Sequence, residues 1–330
     1  MDFTKSTRKQ LIQLCKDRGV KGYSGKKKSD LIALLDGAGK PIAMNEIVMN
    51  GTPLRQDILE GDCLTIMQTL ADESAQIIIA DPPYNIGKDF GNKSDKQPMG
   101  EYLVWCDKWT TECLRILKPN GTMIIYGNSK VMPYIHVRIP THINSRSLIW
   151  HYTNKNVASL DFWQPSYENI LLLWKEDRVF NRDDIREPYT EGFLKGAAGK
   201  QRKATPGRFS KGDKTTTYTA HPGGALPRDV IKIPALAGGA GAKERVDHPT
   251  QKPLALCEKM LKSCKQSAEQ GYVLVPFAGS GSECVAAKNL GLPFVGIELN
   301  PTYVALCKER LAALDRPTES VKQTEQNVVE

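Results

Sequence analysis

The stretch Gln76-Ile77-Ile78-Ile79-Ala80-Asp81-Pro82-Pro83-Tyr84 joins an apolar run to a carboxylate, two prolines and an aromatic ring. The run predicts a buried strand that places Asp81 at its carboxyl end, where open α/β sheets bind ligands. Because proline has no N–H, the two proline positions of the turn can only accept hydrogen bonds. Asp81 and the carbonyl of Pro82 could accept both protons of an exocyclic amino group while Tyr84 stacks on its ring. The alternative is an ordinary strand that ends in Asp-Pro.

A second stretch, from Tyr272 to Ser282, predicts another strand that leads into a glycine-rich turn and a helix over 283–290. Glycines in such a turn let a ligand approach the backbone. The apolar run 293–297 follows and ends in Glu298, at the spacing where nucleotide-binding folds place an acid on ribose hydroxyls. The fingerprints for dinucleotides and for nucleoside triphosphates are absent from the sequence. We therefore expect an adenosine-bearing cofactor without a long phosphate chain.

Four motifs in one order resemble the amino-group DNA methyltransferases. They are Asp81-Pro82-Pro83-Tyr84-Asn85, His248-Pro249-Thr250-Gln251-Lys252-Pro253, Pro276-Phe277-Ala278-Gly279-Ser280-Gly281 and Gly296-Ile297-Glu298-Leu299-Asn300-Pro301. The catalytic motif comes first and the cofactor motif last, which resembles the circularly permuted β group over residues 55–312. The resemblance implies an α/β fold with a doubly wound, mostly parallel sheet. It also implies S-adenosylmethionine as cofactor, double-stranded DNA as substrate, and a homodimer.

The resemblance also assigns site residues. Catalytic roles are implied for Asp81, Pro82, Pro83 and Tyr84. Cofactor contacts are implied for Asp62, Cys63, Asp81, His248, Thr250, Lys252, Phe277, Ala278, Gly279, Ser280, Gly281, Glu298 and Asn300. Val275 departs from the family, which usually has an acid there that helps to hold the cofactor. Losing one charge-assisted hydrogen bond, worth about 1.5 to 3 kcal/mol, should weaken cofactor binding roughly ten- to a hundredfold without abolishing it.

The implied chemistry is a direct in-line methyl transfer that depends on alignment and needs no metal. The target base must leave the helical stack. Carbon-5 methylation of cytosine would need a thiolate from a Pro-Cys pair, and no cysteine here follows a proline. N6 of adenine is the favoured target, because Asp before Pro-Pro-Tyr resembles the adenine enzymes. N4 of cytosine stays open, since the same acceptors serve both amines.

The N-terminal residues 1–36 resemble a SAP module, a helix-loop-helix that binds the DNA backbone, with helices expected over 8–18 and 29–35. Lys26, Lys27 and Lys28 could meet phosphates, although a solvated lysine run is the alternative. Residues 37–54 are expected to be a linker, 55–315 the permuted methyltransferase domain, and 316–330 a disordered tail.

A second basic region, Lys195 to Lys214, is expected to be loop within a target-recognition insertion over 181–247. Arg202, Lys203, Arg208 and Lys211 are its candidates for DNA contacts, and a disordered surface insertion is the alternative.

The segment between the motif clusters predicts a helix over 102–117, a turn over 118–121 and a strand over 122–126. Trp150 and the segment 167–172 resemble late strand motifs near the target base, but core filling is the favoured interpretation for Trp150 and Leu171.

Composition agrees with a polyanionic partner, because the net charge is +8 and the isoelectric point is about 8.9. The sequence has no apolar run of about 18 residues and no signal-peptide pattern, so we expect a soluble, cytoplasmic protein. The eight cysteines, without a Cys-x-x-Cys pair, are expected to be reduced thiols rather than zinc ligands. Two other function classes stay open: a DNA-binding protein of this fold without turnover, and methylation of RNA or of a protein amide.

Overall fold

The computed structural model describes residues 7–17, 27–28, 31, 47–49, 52–54, 56–91, 95–154, 160–207, 211–239 and 241–316. Several sequence expectations lie outside these residues: Lys26, Arg208, most of the helix expected over 29–35, and the tail after 316. Within the described part of the chain, no helix is both long and apolar enough to cross a membrane. Seven described cysteines carry free thiols, and all seven are buried.

The chain alternates between strands and helices. The strands are β1 (Ile47–Met49), β2 (Thr52–Leu54), β3 (Asp57–Glu60), β4 (Ala75–Ala80), β5 (Leu117–Gly127), β6 (Asn144–His151), β7 (Tyr167–Trp174), β8 (Gln201–Lys203), β9 (Thr215–Thr217), β10 (Val230–Lys232), β11 (Tyr272–Val275) and β12 (Phe294–Glu298). The helices are α1 (Arg8–Asp17), α2 (Cys63–Met67), α3 (Met99–Ile116), α4 (Met132–His136), α5 (Glu191–Gly196), α6 (Leu254–Cys264), α7 (Ser282–Asn289) and α8 (Pro301–Ala313), with short 3₁₀ turns at Arg182–Ile185 and Ala268–Gln270.

An eight-stranded sheet forms the centre of the molecule, in the order β10-β6-β7-β5-β4-β11-β12-β3. All of its strands run in one direction except β7, which is antiparallel to both neighbours. The pairs β1–β2 and β8–β9 form separate two-stranded hairpins. The mostly parallel sheet predicted from the sequence is therefore confirmed.

Helices cover both faces of the sheet, so strand β4 is buried along its whole length. Side chains of β4 alternate between the faces, as strand geometry requires. Ile77 and Ile79 pack with residues of α6, α7 and α8, whereas Ile78 and Ala80 pack with residues of α2, α3 and α4. This three-layer arrangement explains why the run reads as continuously apolar in the sequence.

The chain reverses its winding direction between β4 and β11, which are neighbours in the sheet. From β4 it continues through α3 to β5 on one side, and from β11 it continues through α7 to β12 on the other. In open α/β sheets a crevice forms outside the carboxyl ends of the two strands at such a point. Asp81 follows β4 and Pro276 follows β11, so both border this crevice.

Two local expectations were wrong. The turn expected over 118–121 lies inside β5, where Leu117 pairs with Ala75 and Thr122 pairs with Ile77. A bulge absorbs the extra residues. Gly121 permits the close approach, because a Cβ there would lie 2.9 Å from the carbonyl oxygen of Gln76.

The second error concerns the segment 195–214, which is not only loop. It contains the end of α5 and strand β8, which pairs with the threonine-rich β9. Threonine is β-branched and favours the extended conformation of a strand. The strand was not predicted because the segment has no hydrophobic periodicity.

Candidate active site

Asp81 is the centre of a buried polar network at the carboxyl end of β4. The ammonium nitrogen of Lys252 lies 2.8 Å from Asp81 Oδ1 and 2.7 Å from Oδ2. The Tyr84 hydroxyl donates to Oδ1 at 2.7 Å and to Glu168 Oε2 at 3.2 Å. Glu168 Oε2 also lies 3.5 Å from the Lys252 nitrogen. One cation therefore holds two carboxylates in fixed positions.

The protonation of this network follows from its surroundings. Burial alone would lower the pKa of Lys252, but the charges of Asp81 and Glu168 outweigh it and raise that pKa above its ordinary value. Burial, together with the same two carboxylates, raises the pKa of Tyr84 well above its usual range. Lys252 thus stays an ammonium and Tyr84 stays a hydrogen-bond donor.

The turn after Asp81 is held by contacts that the sequence did not predict. Tyr102 donates its hydroxyl proton to the carbonyl of Pro83 at 2.7 Å. Among the described residues, none donates a hydrogen bond to the carbonyl of Pro82. The Pro83 carbonyl is therefore already engaged by one donor, whereas the Pro82 carbonyl has both lone pairs available.

Asp95 fixes the loop that follows this turn. Its carboxylate accepts hydrogen bonds from the backbone N–H groups of Asn85, Ile86 and Lys88, at 2.6, 3.2 and 2.8 Å. Asp95 is only 2% exposed, and Asn85 has the unusual φ of +56°. The strained turn is therefore stabilised by one buried acid.

Glu298 organises the opposite side of the crevice, at the end of β12. Its carboxylate accepts hydrogen bonds from the backbone N–H groups of Gly279 and Asn300, each at 2.8 Å. Burial raises the pKa of Glu298, although these hydrogen bonds oppose the shift. Gly279 adopts a φ of +50°, and a Cβ there would lie 3.0 Å from His248 Nε2. The glycine turn thus needs both the backbone freedom and the space of glycine.

Aromatic and neutral groups complete the wall. The Phe277 ring packs 5.5 Å from Trp105 and 5.4 Å from Trp109, measured between centroids.

Burial and Lys252 lower the pKa of His248 to about 4, so its imidazole is neutral. Burial and Asp62 raise the pKa of Cys63 to about 12, so its thiol is protonated. Asp62 itself caps α2, accepting the Thr65 N–H at 3.0 Å.

The crevice brings together nearly all residues that the sequence analysis assigned to catalysis and cofactor binding. Those that line it are Asp62, Cys63, Asp81, Pro82, Pro83, Tyr84, His248, Thr250, Lys252, Phe277, Ala278, Gly279, Ser280, Glu298 and Asn300. Gly281 lies behind the turn, where a Cβ would come within 2.9 Å of Cys307 Sγ. The Asn300 side chain caps α8 and donates to the Phe90 carbonyl at 2.8 Å.

The basic candidates lie apart from this crevice. Arg202 and Lys203 are exposed on β8, Lys211 is exposed beside that hairpin, and Lys27 and Lys28 are exposed near the N-terminus. Trp150 is buried and donates its indole N–H to the carbonyl of Ile233 at 2.9 Å, and Leu171 is fully buried. The core-filling interpretation of both is confirmed.

Sequence reasoning gave no individual role to five residues that border or support the site: Asp95, Trp105, Glu168, Glu283 and Tyr303. Glu168 lies in the segment 167–172, which the sequence analysis placed near the target base only as a whole. Glu168 carried a usable signal, because it is an acid inside the apolar segment of β7. A buried acid of this kind requires a partner. The others sit on helices or loops without a motif of their own.

Comparison with known proteins agrees with this geometry. A DNA methylase family model for N6 and N4 methyltransferases matches residues 75–309. Type II methyltransferase M.HpaI of Haemophilus parainfluenzae is 30% identical, over 78% of this chain and 74% of its own length. DNA adenine methyltransferase YhdJ of Escherichia coli K12 is 30% identical, over 77% and 82%. The structure of PvuII DNA methyltransferase (cytosine-N4-specific) shares the fold, with a TM-score of 0.55 and 13% identity over 82% of this chain and 87% of that one. The chain therefore belongs to the N6/N4 DNA methylase family.

Proposed function

We propose that this protein transfers a methyl group from S-adenosylmethionine to N6 of adenine in double-stranded DNA. The observation that carries the proposal is the position of Asp81. Its carboxylate is oriented by Lys252 and Tyr84 at the crevice between β4 and β11, opposite the glycine turn and Glu298. Hydrogen-bond acceptors for an amino group and a cradle for a nucleoside thus share one cavity.

The residues of the cavity fit S-adenosylmethionine. Glu298 offers acceptor oxygens for ribose hydroxyls, and the Gly279 turn lets a ligand approach the backbone. Phe277 offers an apolar surface. Lys252 contacts Asp81, Thr250 lines the cavity beside His248, and Asp62 and Cys63 border the cavity near Glu298. When bound, S-adenosylmethionine supplies an electrophilic methyl group on a sulfonium.

The chain's own groups would prepare the target nitrogen. Asp81 Oδ1 already accepts from Tyr84 and Lys252, whereas among the described residues Oδ2 accepts from Lys252 alone. Oδ2 and the carbonyl of Pro82 are therefore the acceptors available for the two amino protons. These hydrogen bonds favour a more tetrahedral nitrogen and stabilise the positive charge that develops on it. The half-buried ring of Tyr84, fixed by its hydroxyl, would stack on the extruded base.

Three finer features belong to the same proposal. The β4 motif precedes the β11 and β12 motifs in the chain although β4 and β11 are neighbours in the sheet, which supports the permuted β-group order. The exposed Arg202 and Lys203 on β8, with Lys211, would contact DNA from the insertion over 181–247. Lys27 and Lys28 of the SAP-like segment would add phosphate contacts.

N4 of cytosine is the second candidate, because Oδ2 of Asp81 and the Pro82 carbonyl could accept from either amine.

For either target base, Asp81→Ala should abolish methyl transfer and leave DNA affinity nearly unchanged, since the basic residues lie elsewhere. Transfer of labelled methyl to DNA and fluorescence anisotropy would measure the two properties. Asp107→Ala, at a surface ion pair with Arg138, is the control. Activity retained by Asp81→Ala would remove Asp81 from the mechanism.

A further inference from the structure

Glu283 is a buried acid that the Asp81 network does not engage. It lies in the first turn of α7, directly after the glycine turn, and it is 3% exposed. It lines the same cavity as Asp81 and Lys252. The Cys257 thiol contacts its Oε1 at 3.6 Å. Within the described part of the chain, no cation lies close enough to form an ion pair with it.

The Lys252 ammonium near Glu283 is already engaged by other carboxylates. It pairs with Asp81 and Glu168, and among the described residues it forms no ion pair with Glu283. Burial and the charge of Asp81 raise the pKa of Glu283 to about 7, while Lys252 opposes the shift. An unpaired buried carboxylate is unfavourable, and a ligand cation beside it would relieve this.

The end of strand β11, on the other side of the glycine turn, does not provide a carboxylate for a ligand cation. Val275, the last residue of β11, is apolar and fully buried. The carboxylate that borders the turn on this side of the cavity therefore comes from the helix and not from the strand.

We infer that Glu283 binds the α-ammonium group of the amino-acid part of S-adenosylmethionine. This inference rests on the proposed function and adds a binding residue to it. The α-ammonium has three N–H donors, whereas a sulfonium has none, so a carboxylate acceptor discriminates between the two cations of the ligand. Asp81 remains the carboxylate that faces the reacting nitrogen. Glu283 is thus a specificity residue for the amino-acid end of the cofactor.

Isothermal titration calorimetry on the full chain tests the assignment with three ligands. S-adenosylmethionine has both cations, S-adenosylhomocysteine keeps only the α-ammonium, and 5′-methylthioadenosine has neither. Glu283→Gln should weaken the first two ligands equally, by about 10- to 100-fold in Kd, because a charge-assisted hydrogen bond is lost. Binding of methylthioadenosine should not change. Glu309→Gln, at an exposed position of α8, is the matched control and should leave all three affinities unchanged.

The outcomes separate this inference from the function on which it rests. If the wild-type protein binds none of the three ligands, the proposed cofactor is wrong. If the wild-type protein binds S-adenosylmethionine and Glu283→Gln binds it equally well, only the inference fails. Weakening of S-adenosylmethionine alone would overturn the α-ammonium assignment in favour of the sulfonium. Circular dichroism confirms that Glu283→Gln, which keeps the side-chain shape, is folded.

Discussion

Lys252→Met removes the ammonium that pairs with Asp81 and Glu168 and keeps an unbranched side chain. Lys252 is 4% exposed, and its partners Asp81 and Glu168 are 15% and 11% exposed. Removing one partner of a buried ion pair costs about 3 to 5 kcal/mol, because the remaining charge is left without compensation. We therefore expect the free energy of unfolding to fall by at least about 3 kcal/mol at neutral pH.

Urea denaturation followed by circular dichroism measures this loss, with Lys262→Met as the control. Lys262 pairs with Glu258 at 3.1 Å on the surface of α6, where such a pair contributes about 0.3 to 0.5 kcal/mol. The pKa of Lys252 is raised in the folded state, so the difference should persist from neutral pH up to the unfolded pKa of about 10.4 and should vanish as the pH rises through the folded value. A loss no greater than that of Lys262→Met would refute the account of the network.

Three further predictions address the loop, the DNA surface and the buried acid. Asp95→Ala should lower kcat/KM at least about tenfold, because three backbone N–H groups lose a charged acceptor; hydrogen exchange at Asn85 should accelerate, and unchanged exchange would contradict this role. Exchanging both Arg202 and Lys203 for Ala should reduce the slope of log K for DNA against log salt concentration by about 1.8, or about 0.9 per lost phosphate contact. An unchanged slope would mean that DNA contacts other residues. For Glu283, the folded state holds more protons than the unfolded state between pH 4.5 and about 7, so stability should fall with rising pH in that window. The titratable groups near this acid include Asp81, Lys252, Cys257 and Tyr126. Glu283→Gln should flatten the slope of stability against pH, and a slope equal to that of the wild type would mean that another group causes it.

The site has two halves, the turn at Asp81 and the glycine turn with Glu298. Each half is formed by a short continuous segment, so its position could be predicted from the sequence. The strand before Asp81 is a short apolar run that ends in prolines, and the structure confirms it at Ala75–Ala80. The distance from the glycine turn to Glu298 is fixed by one helix and one strand, so spacing alone was enough to place that acid at the crevice. The sheet then brings the halves together, because β4 and β11 are neighbours.

Contacts between distant segments were not predictable in the same way. Lys252 pairs with Asp81 across 171 positions of the chain, and nothing in either local sequence identifies the partner. Asp95 acts through backbone N–H groups, which no side-chain pattern reveals. The bulge in β5 was hidden because Lys118-Pro119-Asn120-Gly121 has the composition of a turn.

The central claim is methyl transfer to an amino nitrogen of DNA, and the product tests it most directly. Purified protein would be incubated with unmethylated genomic DNA and labelled S-adenosylmethionine, and the DNA would be digested to nucleosides and analysed by mass spectrometry. The account predicts label in N6-methyldeoxyadenosine. Label in N4-methyldeoxycytidine would move the chemistry to the other base, and no label in DNA at saturating cofactor would contradict the claim.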